Sequence, residues 1–262
     1  MTRLREVWDR GSASLGGWCV IPSPFSAELM GLCGFDWVCL DMQHGLIGYD
    51  ALVPMLQALS RTGTPAFVRV PWNQPDHIMK ALDAGAQGVV VPMVNSVADA
   101  EAATGACRYP PQGYRSWGPV RASLEMKGFS PESANRDVVC VVMVETAAAL
   151  GDLDAILSVP GIDGVYVGPN DMAVTHGMPP DANATRPEHR RLIGSVREAC
   201  DRHEIVAGIH CGSWETAAGW RDEGFRMLNV TSDAVFLRGA ATEVVKKLTG
   251  EPVAKPATSS YA

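Results

Sequence analysis

Lysine is scarce in this chain of 262 residues: five occur, Lys80, Lys127, Lys246, Lys247 and Lys255, and none falls in an apolar run that reads as a strand. That argues against chemistry in which a lysine inside a barrel forms an imine with a carbonyl substrate. There is no basic block either. The 22 lysines and arginines are scattered among 29 acids, for a net charge of −7. Nucleic acids are held by clustered cations, so no nucleic-acid partner is expected. No apolar run is long enough to cross a bilayer, and the opening MTRLREVWDR lacks the apolar core of a secretory signal. No membrane partner is therefore expected. Seven cysteines occur, none in a C-x-x-C pair, and Cys19, Cys39, Cys140 and Cys211 sit within apolar runs. This pattern reads as reduced, buried thiols in a cytoplasmic protein and gives no support to a zinc finger. No G-x-G-x-x-G follows the first strand, so a dinucleotide fold lacks its best marker. G-x-S-x-G, the elbow of many serine hydrolases, is also missing.

What the chain does have is a rhythm. Apolar residues make up 47 % of it, enough for a substantial core. Short runs rich in β-formers are predicted as strands over Gly17–Pro22, Trp37–Met42, Ala66–Pro71, Gly88–Val94, Val138–Glu145, Gly164–Gly168, Val206–Cys211 and Met227–Thr231. Helical patterns fall between and after them: Ala27–Cys33, Tyr49–Arg61, Asp76–Ala84, Val97–Arg108, Ala147–Ser158, Pro187–His203, Trp214–Glu223 and Val235–Leu248. Asp76 and Ser213 are expected to cap helices at their N-termini, and Gly85 and Gly224 to end them. Strict alternation of strand and helix predicts a (β/α)8 TIM barrel, with a doubly wound open sheet as the alternative. One catalytic domain is expected over residues 1–250, and residues 251–262 are expected to form a tail that is flexible or lies at an interface. The connection from Tyr109 to Asp137 is unusually long, a length associated with function or disorder.

In such a barrel the active site lies where strands end, so the polar residues at strand ends are the candidates. The second strand ends at Asp41, with His44 three residues on; the third carries Arg69; the fifth ends at Glu145; the sixth leads to Asp171; the seventh ends at His210. Glu145 and Asp171 could serve as general acid and base, as two metal ligands, or as helix caps. Two carboxylates converging on an apolar floor repel each other, and a divalent cation relieves that conflict. An oxygen-only pair with open positions suits Mg²⁺ or Mn²⁺ better than a closed zinc site. Arg69 is costly to bury unless it meets an anion, either a substrate oxyanion or carboxylate, or one of the barrel acids in a structural salt bridge. His44 is either a packed histidine or a catalytic base, with Asp41 orienting its ring and raising its basicity. His210 is expected to line the substrate pocket. His77, His176, His189 and His203 lie in helical or loop settings and carry no functional expectation.

L-D-M-Q-H-G, F-V-R-V-P, V-P-M-V-N-S, R-Y-P-P-Q-G, V-E-T and V-G-P-N-D-M occur in this order. Over roughly residues 14 to 250 the set resembles the HpcH/HpaI aldolase family, the metal-dependent class II pyruvate aldolases. The V-G-P-x-D segment with a glutamate upstream is the specific part. The resemblance implies a barrel of the phosphoenolpyruvate/pyruvate type. Its last helix would be exchanged between subunits, in a homo-oligomer that is a trimer or hexamer. It implies cleavage of 4-hydroxy-2-oxo acids to pyruvate and an aldehyde, with Mg²⁺, Mn²⁺ or Co²⁺ and no organic cofactor. It makes Glu145 and Asp171 the metal ligands, Arg69 the contact to the pyruvate keto oxygen, His44 the catalytic histidine and Asp41 its partner. Backbone N–H groups near Asn170 and Asp171 would hold the substrate carboxylate. Two residues depart from the family pattern: Met143 stands where a glutamine is expected, and Gln43 where several members have a glutamate. Arg115, Trp117 and Arg121, in the long connection, are expected to shape the aldehyde side of the pocket or to pack at a subunit interface, with Trp117 as a substrate contact. The alternatives on the same scaffold are an oxaloacetate decarboxylase, a citrate-lyase-like CoA thioester lyase and a non-catalytic barrel that binds a small acid.

Overall fold

The computed structural model describes residues 3–126 and 128–251. The expected tail falls almost wholly on residues 252–262, outside the described residues. The elements run α1 (Arg3–Asp9), β1 (Ser14–Cys19), α2 (Pro24–Leu32), β2 (Trp37–Asp41), α3 (Tyr49–Ser60), β3 (Ala66–Arg69), α4 (Pro75–Asp83), β4 (Gly88–Val91) and α5 (Val97–Cys107). They continue as α6 (Ala122–Glu125), α7 (Pro131–Asp137), β5 (Val139–Val144), α8 (Ala147–Gly151), α9 (Leu153–Leu157), β6 (Gly164–Val167) and α10 (Pro169–Thr175). The last are α11 (Pro187–Arg202), β7 (Val206–Ile209), α12 (Trp214–Asp222), β8 (Met227–Ser232) and α13 (Asp233–Thr249).

The eight strands pair in sequence order, all parallel, and β8 closes onto β1. This is the expected closed barrel and not the open sheet. Strand residues alternate between two cores. Trp37, Cys39, Phe67, Val139, Val141, Met143 and Tyr166 fill the interior, with Leu4 and Trp8 of α1 packed against them. Val38, Leu40, Val68, Val142 and Val165 face outward and bury the apolar sides of the helices. The period of two follows from the pleat. Gly16 makes room for this packing, since a Cβ there would stand 2.2 Å from the Trp37 ring. No helix among the described residues is long and apolar enough to cross a membrane.

Several expected bounds shift: α2 begins at Pro24 and not Ala27, β4 ends at Val91 and not Val94, and three further departures bear on the site or on helix ends. β1 starts three residues earlier than expected and ends at Cys19. Residues 20 and 21 leave the ladder because their N–H groups donate to the Asp233 carboxylate, at 2.9 and 3.4 Å. Asp76 caps nothing: α4 begins at Pro75 behind Gln74, and Asp76 lies inside the first turn, where its charge suits the helix dipole. The helix expected over 147–158 is two, broken at Asp152. Ser213 does cap α12, accepting from the Thr216 N–H, and Gly85 and Gly224 take left-handed backbones past the ends of α4 and α12. α1, α6 and α7 lie outside the expected helical patterns, and α10 supplies the helix start that the resemblance implies at Asn170 and Asp171.

Candidate active site

The inward parity of each strand decides which polar side chains reach the C-terminal rim. Above Cys39 on β2 the next inward residue is Asp41. Above Phe67 on β3 it is Arg69, and β2 pairs with β3 so that Asp41 and Arg69 are direct neighbours. Above Met143 on β5 it is Glu145, and past Gly208 on β7 it is His210. These polar residues therefore cap a mostly apolar interior.

Asp41 is fully buried, and Arg69 is 3 % exposed. Their side chains meet in a two-pronged salt bridge, Arg69 Nε to Asp41 Oδ1 at 2.8 Å and Nη2 to Oδ2 at 2.6 Å. Trp18 Nε1 donates to Oδ2 at 3.2 Å, and the backbone N–H groups of Gln43 and His44 donate to Oδ1 at 3.0 and 3.3 Å. Burial works to raise the Asp41 pKa. The charge and hydrogen bonds of Arg69 outweigh it, with help from Trp18 and the His44 N–H, and hold the carboxyl below its ordinary value. The Arg69 guanidinium also lies over the Trp18 ring, 5.0 Å from its centroid. The glycine after His44 serves close approach: a Cβ on Gly45 would stand 2.2 Å from the Asp41 carbonyl oxygen.

As expected, the Asp41 charge raises the basicity of His44, but other contributions outweigh it. Burial and the Arg69 charge both lower its pKa; the charges of Asp41 and Asp171 pull the other way and lose, so the imidazole sits below 6.5. Asp41 therefore does not leave His44 more basic than usual. His210 sits just beyond β7, its N–H donating to the Val167 carbonyl at 3.0 Å. Its ring meets Trp18 edge-on at 5.1 Å. Burial, with Arg69 and His44 nearby, pushes its pKa down to about 3 despite Asp41, so it is neutral at physiological pH.

Glu145 is 2 % exposed and accepts from the Met93 N–H at Oε1, 2.8 Å. Its other oxygen, Oε2, lies where a Cβ on residue 168 would go, 2.4 Å from that point. Only glycine at 168 leaves this space. Burial and the Asp171 charge raise the Glu145 pKa to about 7 against the pull of the Met93 N–H and Arg69. Asp171 stands in the first turn of α10 behind Pro169 and Asn170, exposed at the rim. Among the described residues no group of three or more His, Cys, Asp or Glu could hold a metal ion. Two carboxylates converge here, one of them desolvated and resisting ionisation beside the other. That donor set fits a hard divalent cation that keeps open positions for water or substrate. The Oδ1 of Asn170 and the Oε1 of Gln43 are buried and make no hydrogen bond among the described residues, so acceptors line the same rim. Met143 packs 1 % exposed in the apolar interior below Glu145.

Trp117 is not with these residues. It lies in the α5–β5 connection, which in a parallel barrel runs at the N-terminal end of the strands. The neighbouring contacts confirm that end: Arg115 donates to Asp83 at the close of α4 at 2.7 Å, and Arg121 to the Ala84 carbonyl at 2.8 Å. Trp117 packs on Tyr109 and Phe129, with ring centroids 5.2 and 5.9 Å away. Within one chain, Arg115, Trp117 and Arg121 do not shape the pocket. Conversely, Trp18 and Met93 belong to the site and were not anticipated. Trp18 was detectable as the inward neighbour of Asp41 on β1; Met93 contributes a backbone group that no motif reveals.

A family model described as HpcH/HpaI aldolase/citrate lyase matches residues 15–240. A hydroxypyruvate/pyruvate aldolase of Rhizorhabdus wittichii is 39 % identical over 94 % of this chain and 98 % of its own length. A 2-dehydro-3,6-dideoxy-6-sulfogluconate aldolase of Pseudomonas putida is 34 % identical over 96 % of this chain and 99 % of its own. The crystal structure of an HpcH/HpaI aldolase/citrate lyase family protein from Burkholderia cenocepacia superposes with a TM-score of 0.88 at 28 % identity, covering 95 % of this chain and 99 % of that one.

Proposed function

The chain belongs to the HpcH/HpaI aldolase/citrate lyase family, and on that premise we propose that it is a divalent-metal-dependent aldolase. It cleaves 4-hydroxy-2-oxo acids reversibly to pyruvate, or a close 2-oxo acid, and an aldehyde. The observation that carries the reading is the convergence on one rim of a buried Glu145, Asp171, a fixed Arg69 and a neutral-leaning His44. The two relatives described above are both aldolases, which supports the reaction class.

In this reading Glu145 and Asp171 hold the cation. Bound there, Mg²⁺, Mn²⁺ or Co²⁺ would supply Lewis-acid stabilisation of the negative charge that develops on the 2-oxo acid. The protein's own groups do the rest. Asp41 and Trp18 lock the Arg69 guanidinium, so its charge needs no reorganisation when the keto oxygen becomes an enolate oxygen as the C3–C4 bond breaks. His44 takes the proton of the C4 hydroxyl in cleavage and returns one in the aldol direction; its depressed pKa keeps it unprotonated and ready to accept. The N–H groups of Asn170 and Asp171, at the start of α10, hold the substrate carboxylate. His210 and Trp18 form an apolar wall beside it.

The α13 helix exposes Phe236, Leu237, Val244, Val245 and Leu248. A groove of about 330 Å³ between α2 and α13 is lined by Phe25, Leu29 and Leu237. These apolar surfaces support exchange of the last helix between subunits in a trimer or hexamer. All seven cysteines are free and six are buried, which supports a reducing compartment such as the cytoplasm.

The test is pyruvate release from a panel of 4-hydroxy-2-oxo acids with Mg²⁺, Mn²⁺ or Co²⁺, before and after EDTA. Release that EDTA abolishes, metal restores, and Glu145→Ala and Asp171→Ala each remove is the expected result. No release from any member of the panel overturns it; oxaloacetate decarboxylation alone would replace the aldolase with a decarboxylase.

A further inference from the structure

The β4–α5 connection, residues 92–96, comes against the end of β5 beside Glu145. Met93 there has φ +57°, a left-handed backbone that residues with side chains rarely adopt. This conformation brings the Met93 N–H to Glu145 Oε1, at 2.8 Å. Asn95 holds the conformation from one side, its Nδ2 donating to the Met93 carbonyl at 3.0 Å. From the other side its Oδ1 accepts from the Thr146 hydroxyl, on the residue that follows Glu145. Thr146 is itself fixed as the cap of α8, accepting from the Ala149 N–H at 3.1 Å. The Asn95 backbone is tied down as well: its N–H donates to Asp99 Oδ2 at 3.0 Å, and Asp99 exchanges hydrogen bonds with Ser96 at the start of α5.

We propose that Asn95 is a positioning residue. Its amide spans Met93 and Thr146 and so clamps the Glu145 carboxylate, with Oε1 bound to the Met93 N–H and Oε2 left for the divalent cation. This rests on the reading of Glu145 as a cation ligand. The clamp acts on no reacting atom. It removes the rotational freedom of a ligand that would otherwise have to be ordered when the cation binds, and groups that orient metal ligands in this way are commonly worth roughly ten- to a hundredfold in metal affinity.

Isothermal titration of Mn²⁺ into the full chain tests it, with Asn95→Ala, Thr146→Val, Thr146→Ser and Glu145→Ala beside the wild type, and circular dichroism of each to confirm the fold. The expected result is that Asn95→Ala and Thr146→Val bind Mn²⁺ roughly ten- to a hundredfold more weakly. Thr146→Ser, which keeps the hydroxyl, should stay close to wild type. A purely structural role would lower the melting temperature and leave Mn²⁺ affinity alone. Unchanged affinity in folded Asn95→Ala, with Glu145→Ala strongly weakened, overturns the clamp and leaves the cation site standing. Unchanged affinity in Glu145→Ala overturns both. If Asn95→Ala does not fold, the contrast between Thr146→Val and Thr146→Ser decides: equal affinities overturn the clamp.

Discussion

Asp41 and Arg69 are buried side by side, and their pairing sets the charge balance of the rim. Removing one partner strands the other charge in an apolar interior, which typically costs about 3–5 kcal/mol. Arg69→Ala should lower stability by an amount in that range in urea denaturation, and Arg69→Lys by less, since it keeps the charge but loses the two-pronged geometry. A loss under about 1 kcal/mol for Arg69→Ala would mean that water reaches Asp41 and that the pair is not a sealed one. His44 carries a second prediction. Its pKa is depressed, so the neutral, proton-accepting form persists to a pH below 6.5. The acid limb of kcat/KM should therefore lie below 6.5, and His44→Ala should lose the limb together with most of the rate. A limb above that value would remove His44 from the role of base.

At the scale of elements, the pleat does most of the positioning. Inward parity carries the ladders of β2, β3, β5 and β7 up to a polar residue at the rim, and register sets Asp41 opposite Arg69. Gly168 shows how little slack remains. Its φ of −97° is open to any residue, so contact and not conformation demands glycine. In Gly168→Ala the new methyl would meet Glu145 Oε2, 2.4 Å from the ideal Cβ position, and the carboxylate would have to move. Mn²⁺ affinity should fall at least about tenfold while the far-ultraviolet circular dichroism stays that of the barrel. Unchanged affinity would show that the cation does not depend on the present pose of Glu145.

For the whole molecule, α13 is the element least explained by one chain. Only Asp233, at its start, is buried. That residue accepts from the Val20 and Ala234 N–H groups and from the Ser26 hydroxyl at 2.6 Å, so the root of the helix is anchored while its apolar face stays open. Sedimentation velocity should find an assembly of several subunits, and Leu237→Asp, which puts a charge into the groove between α2 and α13, should shift it towards smaller species. A wild-type chain that sediments as a monomer at micromolar concentration would overturn the exchange of this helix.

The sequence by itself determined the barrel and the chemical character of its rim. Strand and helix leave different periodicities, and period two within a strand shows that Asp41 follows Cys39 inward, as Glu145 follows Met143. Local signals also sufficed for Ser213 at the start of α12 and for Gly85 and Gly224 past helix ends. Tertiary structure decided what depends on partners distant in the chain. Whether Arg69 meets Asp41 or another acid is set by the register of β2 on β3. The direction of the His44 shift is a balance of burial and of charges from three strand ends, and no local motif encodes a balance. β1 stops early because Asp233, more than two hundred residues away, claims the N–H groups that follow it. Trp117 shares the aromatic character of a binding residue, but only the path of the chain shows that its loop runs at the other end of the barrel from Glu145.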